Sequence, residues 1–127
     1  MENAITTENI IRTIIWHKNF NLDNKDNLAE LPEEEVVYGI FAIVNDEPVN
    51  CRYVGETEDL RTTVKDLFEN PPDAGMKTFM QGPWIPMLVY QRMPGSLPGE
   101  RQRAADNWVQ KYKPKIDEDG EYPGYYD

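Results

Sequence analysis

Few of the side chains that most often carry out chemistry in proteins occur in this chain. Its 127 residues include one histidine, His17, one cysteine, Cys51, and one serine, Ser96. A single histidine and a single cysteine do not supply the ligands of a usual zinc site. Ser96 lies in a segment rich in proline and glycine with no matched histidine, so a Ser-His-Asp arrangement is not expected. The sequence also lacks a glycine-rich phosphate loop.

Neither Cys51 nor His17 is expected to be catalytic. Reactive thiols need a charged and partly exposed setting, whereas Cys51 lies in VNCRYVG, a segment with the composition of a strand. We therefore expect a structural thiol, and one free cysteine is compatible with a reducing compartment. His17 lies beside Trp16 at the end of the first predicted element, where we expect a capping or surface role.

The charge balance limits the classes of partner. The net charge is −10 and the pI is about 4.5. Affinity for nucleic acid comes largely from Lys and Arg, so the chain as a whole repels a phosphate backbone. The same charge favours a soluble, self-repelling protein and a partner with a basic surface. No signal peptide is recognisable, and no segment approaches the ~20 apolar residues of a membrane span, so we expect a cytoplasmic protein without a membrane partner.

The first element of the chain has an ambiguous pattern. A helix is predicted from about Thr7 to Lys18, because four isoleucines would share one of its faces: Ile10, Ile11, Ile14 and Ile15. These residues are β-branched, which lowers helix propensity, so a strand is the alternative. Residues 19–35 show no clear period and are expected to form a loop or an irregular arm.

A β-hairpin is the clearest feature of the middle of the chain. The segment VVYGIFAIV, residues 36–44, is rich in β-branched and aromatic residues and has no charge, as a buried central strand would. Residues 45–48 form a turn-forming group, and residues 49–55 resume as a second strand.

The second half of the chain alternates helix and strand. Thr57 is the predicted cap of a helix with four apolar residues on one face: Leu60, Val64, Leu67 and Phe68. A short helical turn is predicted over residues 76–80 and a third strand over residues 84–93. Pro86 indicates that this strand lies at an edge or begins late. A last helix is predicted over residues 100–112.

These elements predict a small α+β domain, in which helices flank a three-stranded mixed or antiparallel sheet and an extra helix lies at the N-terminus. We expect residues 1–35 to form that helix and an acidic arm packed on the core, residues 36–117 to form the core, and residues 118–127 to form an acidic and aromatic tail. The third strand is a candidate dimer edge unless Pro86 protects it.

Three short segments occur in an informative order. Gly39-Ile40-Phe41 and Tyr53-Val54-Gly55 are paired strand motifs with a turn between them. Residues 55–60 (GETEDL) then lead into a helix, and residues 108–114 (WVQKYKP) lie in the last one. Together these segments, over roughly residues 36–117, resemble the GIY-YIG nuclease superfamily, including the step into its first core helix and its closing helix.

The resemblance implies a chemistry that this chain is not equipped to perform. In the family, a tyrosine hydroxyl helps to activate water, a glutamate holds one divalent metal ion and an arginine steadies the phosphate. Of the expected set, only Tyr53 is present. The positions expected to carry a second tyrosine, the arginine, a histidine and the metal-binding glutamate are occupied by Phe41, Thr63, Leu67 and Ala105, respectively.

Two other carboxylates could replace the missing glutamate. Glu100 lies five residues before Ala105, about 140° away around an ideal helix, so it could hold a metal only if the helix register differs. Glu56 follows Gly55 and could face the former site, although a solvated loop carboxylate is the simpler interpretation.

We therefore expect a GIY-YIG-like domain without catalysis and without a cofactor, which acts as a binding or regulatory module through protein contacts. Interface candidates are Trp84, Trp108, Tyr125 and Tyr126, although we expect the two tryptophans to be core residues. One alternative is an Mg²⁺-dependent endonuclease with a rearranged site of Tyr53, Glu100 and a cation from Arg61 or Lys65. Another is nucleic-acid binding without cleavage through dispersed basic residues of the last helix: Arg101, Arg103, Lys111 and Lys113.

Overall fold

Residues 10–124 are described by the structure, a computed structural model. Its centre is one antiparallel sheet of four strands, which are β1 (Ile10–Ile14), β2 (Val36–Val44), β3 (Glu47–Thr57) and β4 (Met87–Arg92). Their order across the sheet is β1-β4-β2-β3. The helices are α1 (Leu60–Glu69), α2 (Ala74–Gln81) and α3 (Pro98–Tyr112). The predicted α+β class is confirmed, but the sheet has four strands rather than three.

The predicted N-terminal helix is wrong over its described part, and the alternative of a strand is correct. Residues 10–14 form β1, which pairs with β4 from Ile10 opposite Gln91 to Ile14 opposite Met87. β-Branched side chains pack well on a pleated surface, and here the pairing with β4 decides between the two conformations. Two 3₁₀ turns, Lys18–Phe20 and Leu28–Glu30, lie between β1 and β2, and residues 7–9 lie outside the described part of the chain.

The third predicted strand is an interior strand rather than an edge. β4 begins at Met87, directly after Pro86, so the expectation of a late start is confirmed. It lies between β1 and β2, and its residues 87–90 are buried. The candidate dimer edge on this strand is therefore wrong. The two outer strands of the sheet are β1 and β3.

The hairpin and the helix that follows it differ from the predictions in detail. The turn between β2 and β3 contains only Asn45 and Asp46, which have φ values of 52° and 65°. Two positive φ values in a two-residue turn match the twist of the flanking strands, and Asn and Asp tolerate this conformation. Asp59 rather than Thr57 caps α1, because its carboxylate accepts a hydrogen bond from the Thr62 amide at 3.2 Å.

The sheet is covered by different helices on its two sides. Along β2, Tyr38 and Ile40 belong to a buried cluster with residues of α1 and α2. Val37 and Phe41 belong to a second cluster, with Ala105 and Trp108 of α3 and with residues of β3 and β4. We call these two sides of the sheet the α1 face and the α3 face. The alternation follows from the two-residue period of a strand.

The segment after α3 is held against the α1 face by Arg52. Its Nε donates a hydrogen bond to the Gly120 carbonyl at 3.1 Å. The guanidinium lies 5.0 Å, 5.2 Å and 5.9 Å from the ring centres of Phe79, Trp84 and Tyr122, within cation–π range. Burial is the main cause that lowers the pKa of Arg52. None of the helices within residues 10–124 is long and apolar enough to cross a bilayer.

Candidate functional site

Two β-bulges in the hairpin set the direction of the tyrosine on which the resemblance depends. Tyr53 pairs with Ile40, whereas Cys51 pairs with Phe41, so Arg52 is an extra residue on β3. Asn50 is a second extra residue, and its φ is 51°. Such bulges re-aim side chains along the bulged strand. As a result, Cys51 packs on the α3 face and Tyr53 packs on the α1 face.

Tyr53 lines a shallow pocket of about 250 Å³ at the margin of the α1 face. The walls come from β2, β3, α1 and the segment that follows α1. The lining residues are Tyr38, Tyr53, Thr62, Thr63, Asp66, Leu67, Asn70 and Pro72. We call this the Tyr53 pocket. Within the described part of the chain, its lining includes one carboxylate and no lysine, arginine or histidine.

Tyr38 is a member of this pocket that the sequence analysis missed. Its ring lies over Gly55, the residue opposite it on β3, and a Cβ at position 55 would lie 2.6 Å from the Tyr38 hydroxyl. Only glycine fits at this position without a shift of the tyrosine. Burial, and then the nearby Tyr53 hydroxyl, raise the pKa of Tyr38 well above its ordinary value, so the phenol stays protonated. Side chains along a strand alternate with a period of two, so Tyr38 is expected on the same face of the sheet as Ile40. This spacing was the signal that could have identified Tyr38.

Thr63 and Leu67, the positions expected to carry the arginine and the histidine, lie in the Tyr53 pocket. The Thr63 hydroxyl is 2.7 Å from the Thr57 hydroxyl, which also accepts a hydrogen bond from the Asp59 amide at 3.0 Å. Leu67 is buried in the core cluster of the α1 face. Neither side chain brings a charge to the pocket, so these two positions provide hydrogen bonding and packing.

Asp66 is the carboxylate that the sequence analysis did not consider. It lies one helical turn after Thr62 and Thr63, and Asn70 follows it by four residues, which places them on neighbouring parts of α1. The Asn70 amide donates a hydrogen bond to Asp66 Oδ1 at 2.9 Å. Asp66 is exposed, and among residues 10–124 it forms no ion pair. Helical spacing from Thr63 was the signal that could have identified it.

Phe41 and Ala105 lie apart from Tyr53, on the α3 face. Phe41 is 5% exposed, and its ring packs edge-on against Tyr112 with ring centres 5.3 Å apart. Ala105 is 5% exposed in the same cluster, next to Trp108. The sheet therefore separates two of the five expected positions from the other three. Phe41 and Ala105 do not line the Tyr53 pocket.

The two alternative carboxylates are committed to other interactions. Glu100 lies in the first turn of α3, where its carboxylate accepts a hydrogen bond from the Leu97 amide at 2.7 Å. Glu56 accepts a hydrogen bond from Arg101 Nε at 2.8 Å. Arg101 also donates to the Ser96 carbonyl at 2.7 Å. Because only 4% of the Arg101 side chain is exposed, it joins α3 to β3 rather than forming part of an open basic surface.

The other basic candidates lie at three separate places. Arg61 points toward the N-terminal arm, where its Nε donates to the Leu31 carbonyl at 2.9 Å and Glu33 lies within 3.3 Å. Lys65 is exposed on α1 and does not line the Tyr53 pocket. The three remaining candidates on and after α3 are exposed: Arg103, Lys111 and Lys113.

The two tryptophans proposed as aromatic anchors differ in burial. Trp108 is 8% exposed within the cluster of the α3 face, so the expectation that it is a core residue is confirmed. Trp84 is partly buried and packs against the cluster of the α1 face. Tyr125 and Tyr126 lie outside the described part of the chain.

His17 has a capping role, as predicted, but it is buried rather than at the surface. Its Nδ1 accepts a hydrogen bond from the Asn19 amide at 3.1 Å, and its Nε2 lies 2.8 Å from a carboxylate oxygen of Glu69. Its ring packs against Phe20 and Phe68. Both ring nitrogens are therefore engaged within the fold, and His17 borders an apolar groove of about 590 Å³ rather than the Tyr53 pocket.

The donor set of the Tyr53 pocket does not fit a magnesium site of the kind that the alternative requires. Within residues 10–124, no group of three His, Cys, Asp or Glu side chains is placed to hold a metal ion. The pocket also has no cation to neutralise the charge that develops on a phosphate during hydrolysis. It offers two phenol rings, hydroxyl and amide groups and one carboxylate, which is a set suited to binding.

No protein-family model, no curated protein and no solved structure matches this chain.

Proposed function

We propose that this chain is a GIY-YIG-like domain that binds a protein partner and does not cut nucleic acid. Its activity would be that of a binding or regulatory module, with the Tyr53 pocket as the binding site. The proposal needs no cofactor.

The order of the elements supports the scaffold part of this proposal. The two strand motifs form one hairpin, with Tyr53 and Gly55 on β3. The segment after Gly55 leads into α1, as the resemblance implies, and the motif at residues 108–114 lies at the end of α3. The described order of hairpin, two helices, strand and last helix is compatible with the order of the motifs on which the resemblance depends.

The observation that carries the functional part is the content of the Tyr53 pocket. A metal-dependent nuclease needs a fixed cation beside its nucleophile and a basic group for the phosphate. In this chain, the position expected to carry the phosphate-binding arginine is Thr63, which is hydrogen-bonded to Thr57. The position expected to carry the metal-binding glutamate is Ala105, which is buried on the α3 face. The remaining tyrosine has neither the metal ligand nor the guanidinium with which it would work.

The overall charge supports a protein partner over a nucleic acid. The chain carries −10, and one of the four basic residues assigned to a nucleic-acid surface, Arg101, is buried against Glu56. Three exposed charges remain at that surface, from Arg103 to Lys113. Phosphate binding depends on the number of cations that displace counterions, so a surface with three cations in an acidic chain favours basic partners instead.

A cleavage assay tests the proposal directly. The purified chain is incubated with plasmid and with branched DNA, with and without Mg²⁺ or Mn²⁺, beside the Tyr53→Phe variant. We expect no metal-dependent cleavage by either protein. Cleavage that the wild type performs and Tyr53→Phe abolishes would overturn the proposal, because it would show that the phenol still works with a metal.

A gel-shift assay at low salt tests the remaining alternative. Nucleic-acid binding without cleavage predicts a shift that weakens steeply as salt increases, and a loss of binding in a variant with Arg103, Lys111 and Lys113 changed to glutamine. We expect no shift of duplex or single-stranded DNA at low ionic strength. A salt-sensitive shift that depends on these three residues would favour the alternative.

A further inference from the structure

The Tyr53 pocket combines features that select a cation. It has one carboxylate, Asp66, two tyrosine rings and no basic side chain among its lining residues. We propose that this pocket binds an arginine side chain presented by a basic partner protein. The inference rests on the proposed function, since it names the group that the non-catalytic site takes.

Asp66 provides the charged contact. Its Oδ1 accepts the hydrogen bond from the Asn70 amide at 2.9 Å, which holds the carboxylate in place on α1. Oδ2 has no hydrogen bond to another residue of the described chain. A guanidinium is the natural partner of such a group, because its fork of N–H donors binds carboxylates in a defined geometry.

The two tyrosines provide an aromatic wall. The rings of Tyr38 and Tyr53 are tilted by 34° to each other, with their centres 6.2 Å apart. A cation over the face of an aromatic ring is attracted by the ring quadrupole, and a planar guanidinium also stacks on it. Tyr53 is half-buried and supplies the exposed part of this wall, whereas Tyr38 is only 3% exposed, supports it by packing and stays uncharged because burial raises its pKa.

The size and charge of the pocket exclude other classes of ligand. Its volume of about 250 Å³ lies below the roughly 300–1,000 Å³ of sites for drug-sized molecules, and it suits one side chain. A phosphate or carboxylate group would meet the Asp66 charge without a compensating cation. An arginine is also one of the residues that most often anchor a protein interface.

A titration followed by NMR tests the inference with a defined probe. The full chain, labelled with ¹⁵N, is titrated at low salt with acetyl-Gly-Arg-Gly-amide, and separately with the same peptide carrying citrulline, a neutral analogue of arginine. The titration is repeated with Asp66→Asn and with Asp106→Asn. Asp106 is the matched control, because it is exposed on α3 and accepts a hydrogen bond from the Gln102 amide at 3.0 Å, as Asp66 does from Asn70.

We expect saturable shifts at the amides of residues 38, 53 and 62–70 with the arginine peptide and none with the citrulline peptide. Asp66→Asn should weaken binding about five-fold, as loss of a partly exposed charge-assisted hydrogen bond predicts, and Asp106→Asn should leave it unchanged. Equal responses to the two peptides, wild-type binding by Asp66→Asn, or shifts confined to other surfaces would overturn the inference.

The two proposals fail in different ways. Metal-dependent cleavage that requires Tyr53 would remove the proposed function, whatever the peptides do. Absence of specific arginine binding in a chain that also shows no cleavage would remove only the identity of the ligand.

Discussion

The Tyr53 pocket and the α3 face of the sheet are built from adjacent residues of the same two strands, but they differ in their contact with water. In the pocket, Asp66 and Asn70 are exposed and Tyr53 is half-buried. On the α3 face, Phe41, Ala105 and Trp108 are between 5% and 8% exposed and pack in one apolar cluster. The Tyr53 pocket is thus an open margin of a face that is otherwise core, since Tyr38 and Leu67 in its lining are 3% and 6% exposed, whereas these three residues of the α3 face are all buried.

This difference shows that the register in which β3 pairs with β2 decides on which face of the sheet each motif position lies. Arg52 is the extra residue between Cys51, which faces α3, and Tyr53, which faces α1. A strand with a strict period of two would have placed Cys51 and Tyr53 on one side. The pairing of Tyr53 with Ile40 places Tyr53 on the face opposite Phe41, so two positions that the motif groups together are divided by the sheet.

The substitution Ala105→Glu introduces the glutamate that the motif predicts at this position, and it is the strongest test of whether the sheet separates position 105 from Tyr53. In Ala105→Glu, the new carboxylate lies in the apolar cluster of the α3 face, one helical turn after Arg101, whose guanidinium is already paired with Glu56. We expect the free energy of unfolding to fall by about 3–5 kcal/mol at pH 7, measured by urea denaturation. The exposed neighbour Asn107→Glu, with the same added carboxylate, should change stability by less than about 0.5 kcal/mol.

The pH dependence of Ala105→Glu identifies the cause. Burial raises the pKa of a carboxyl above its unfolded value of about 4.3, so the charged form is the one that the fold disfavours. The charge-dependent part of the penalty should be absent below about pH 4, should grow as the pH rises from about 4.3 toward the folded pKa and should level off above it, while the cost of the added side-chain volume remains at low pH. Mg²⁺ that stabilised this variant selectively would show instead that position 105 belongs to a metal site with Tyr53.

The two arginines at the start of α3 give the next largest contrast. Arg101→Ala removes a buried guanidinium that bonds Glu56 and the Ser96 carbonyl. We expect a loss of about 2 kcal/mol, below the value for a fully buried pair because 28% of the Glu56 side chain is exposed. Arg103→Ala, an exposed arginine of the same helix, should cost less than about 0.5 kcal/mol in the same thermal or urea measurement. Equal costs would mean that the buried pair does not stabilise the fold.

The sequence was sufficient for the elements whose signal is local. The hairpin follows from the β-branched and aromatic run around Ile40, and α1 follows from the spacing of Leu60 to Phe68, since both patterns lie within about ten residues. β1 was not decided in this way, because a run of isoleucines suits a helix or a strand. Its conformation depends on β4, more than 70 residues away, where Ile14 pairs with Met87.

The composition of the site was only partly predictable for a similar reason. Thr63 and Leu67 lie beside Tyr53, as the motif spacing implies, because all three are positioned by the hairpin and α1. The separation of Phe41 from Tyr53 follows from the pairing of Tyr53 with Ile40, in a register that includes extra residues at Asn50 and Arg52, and nothing in the local composition marks those residues as extra. The ion pair of Glu56 with Arg101 joins residues 45 positions apart and depends on how α3 packs on β3.

An arginine introduced into the Tyr53 pocket is the counterpart of the glutamate introduced on the α3 face. Thr63→Arg lies at a partly exposed position and loses the hydrogen bond to Thr57, so we expect a cost of about 1 kcal/mol, well below that of Ala105→Glu. The new guanidinium should pair with Asp66 and abolish binding of the arginine peptide in the NMR titration. Thr78→Arg, at an exposed position on α2 outside the pocket, is the control that adds the same charge. Undiminished peptide binding by Thr63→Arg would place the peptide elsewhere.

The smallest expected effect concerns the thiol that shares β3 with Tyr53 but faces α3. Burial raises the pKa of Cys51 to about 12, so the folded protein keeps the thiol neutral and iodoacetamide should react with it only after unfolding.

A raised folded pKa gives stability that is complete below the unfolded pKa of about 9 and is lost as the pH rises toward 12. As the pH rises from 7 to 9, ionisation of Cys51 in the unfolded chain should lower the free energy of unfolding by about 0.4 kcal/mol. The decrease in the free energy of unfolding over this pH range should therefore be about 0.4 kcal/mol smaller in Cys51→Ala than in the wild type. Urea denaturation of both proteins at the two pH values measures the difference. Identical losses, or rapid alkylation of the native protein at pH 8, would mean that water reaches the α3 face, and the contrast with the Tyr53 pocket would no longer hold.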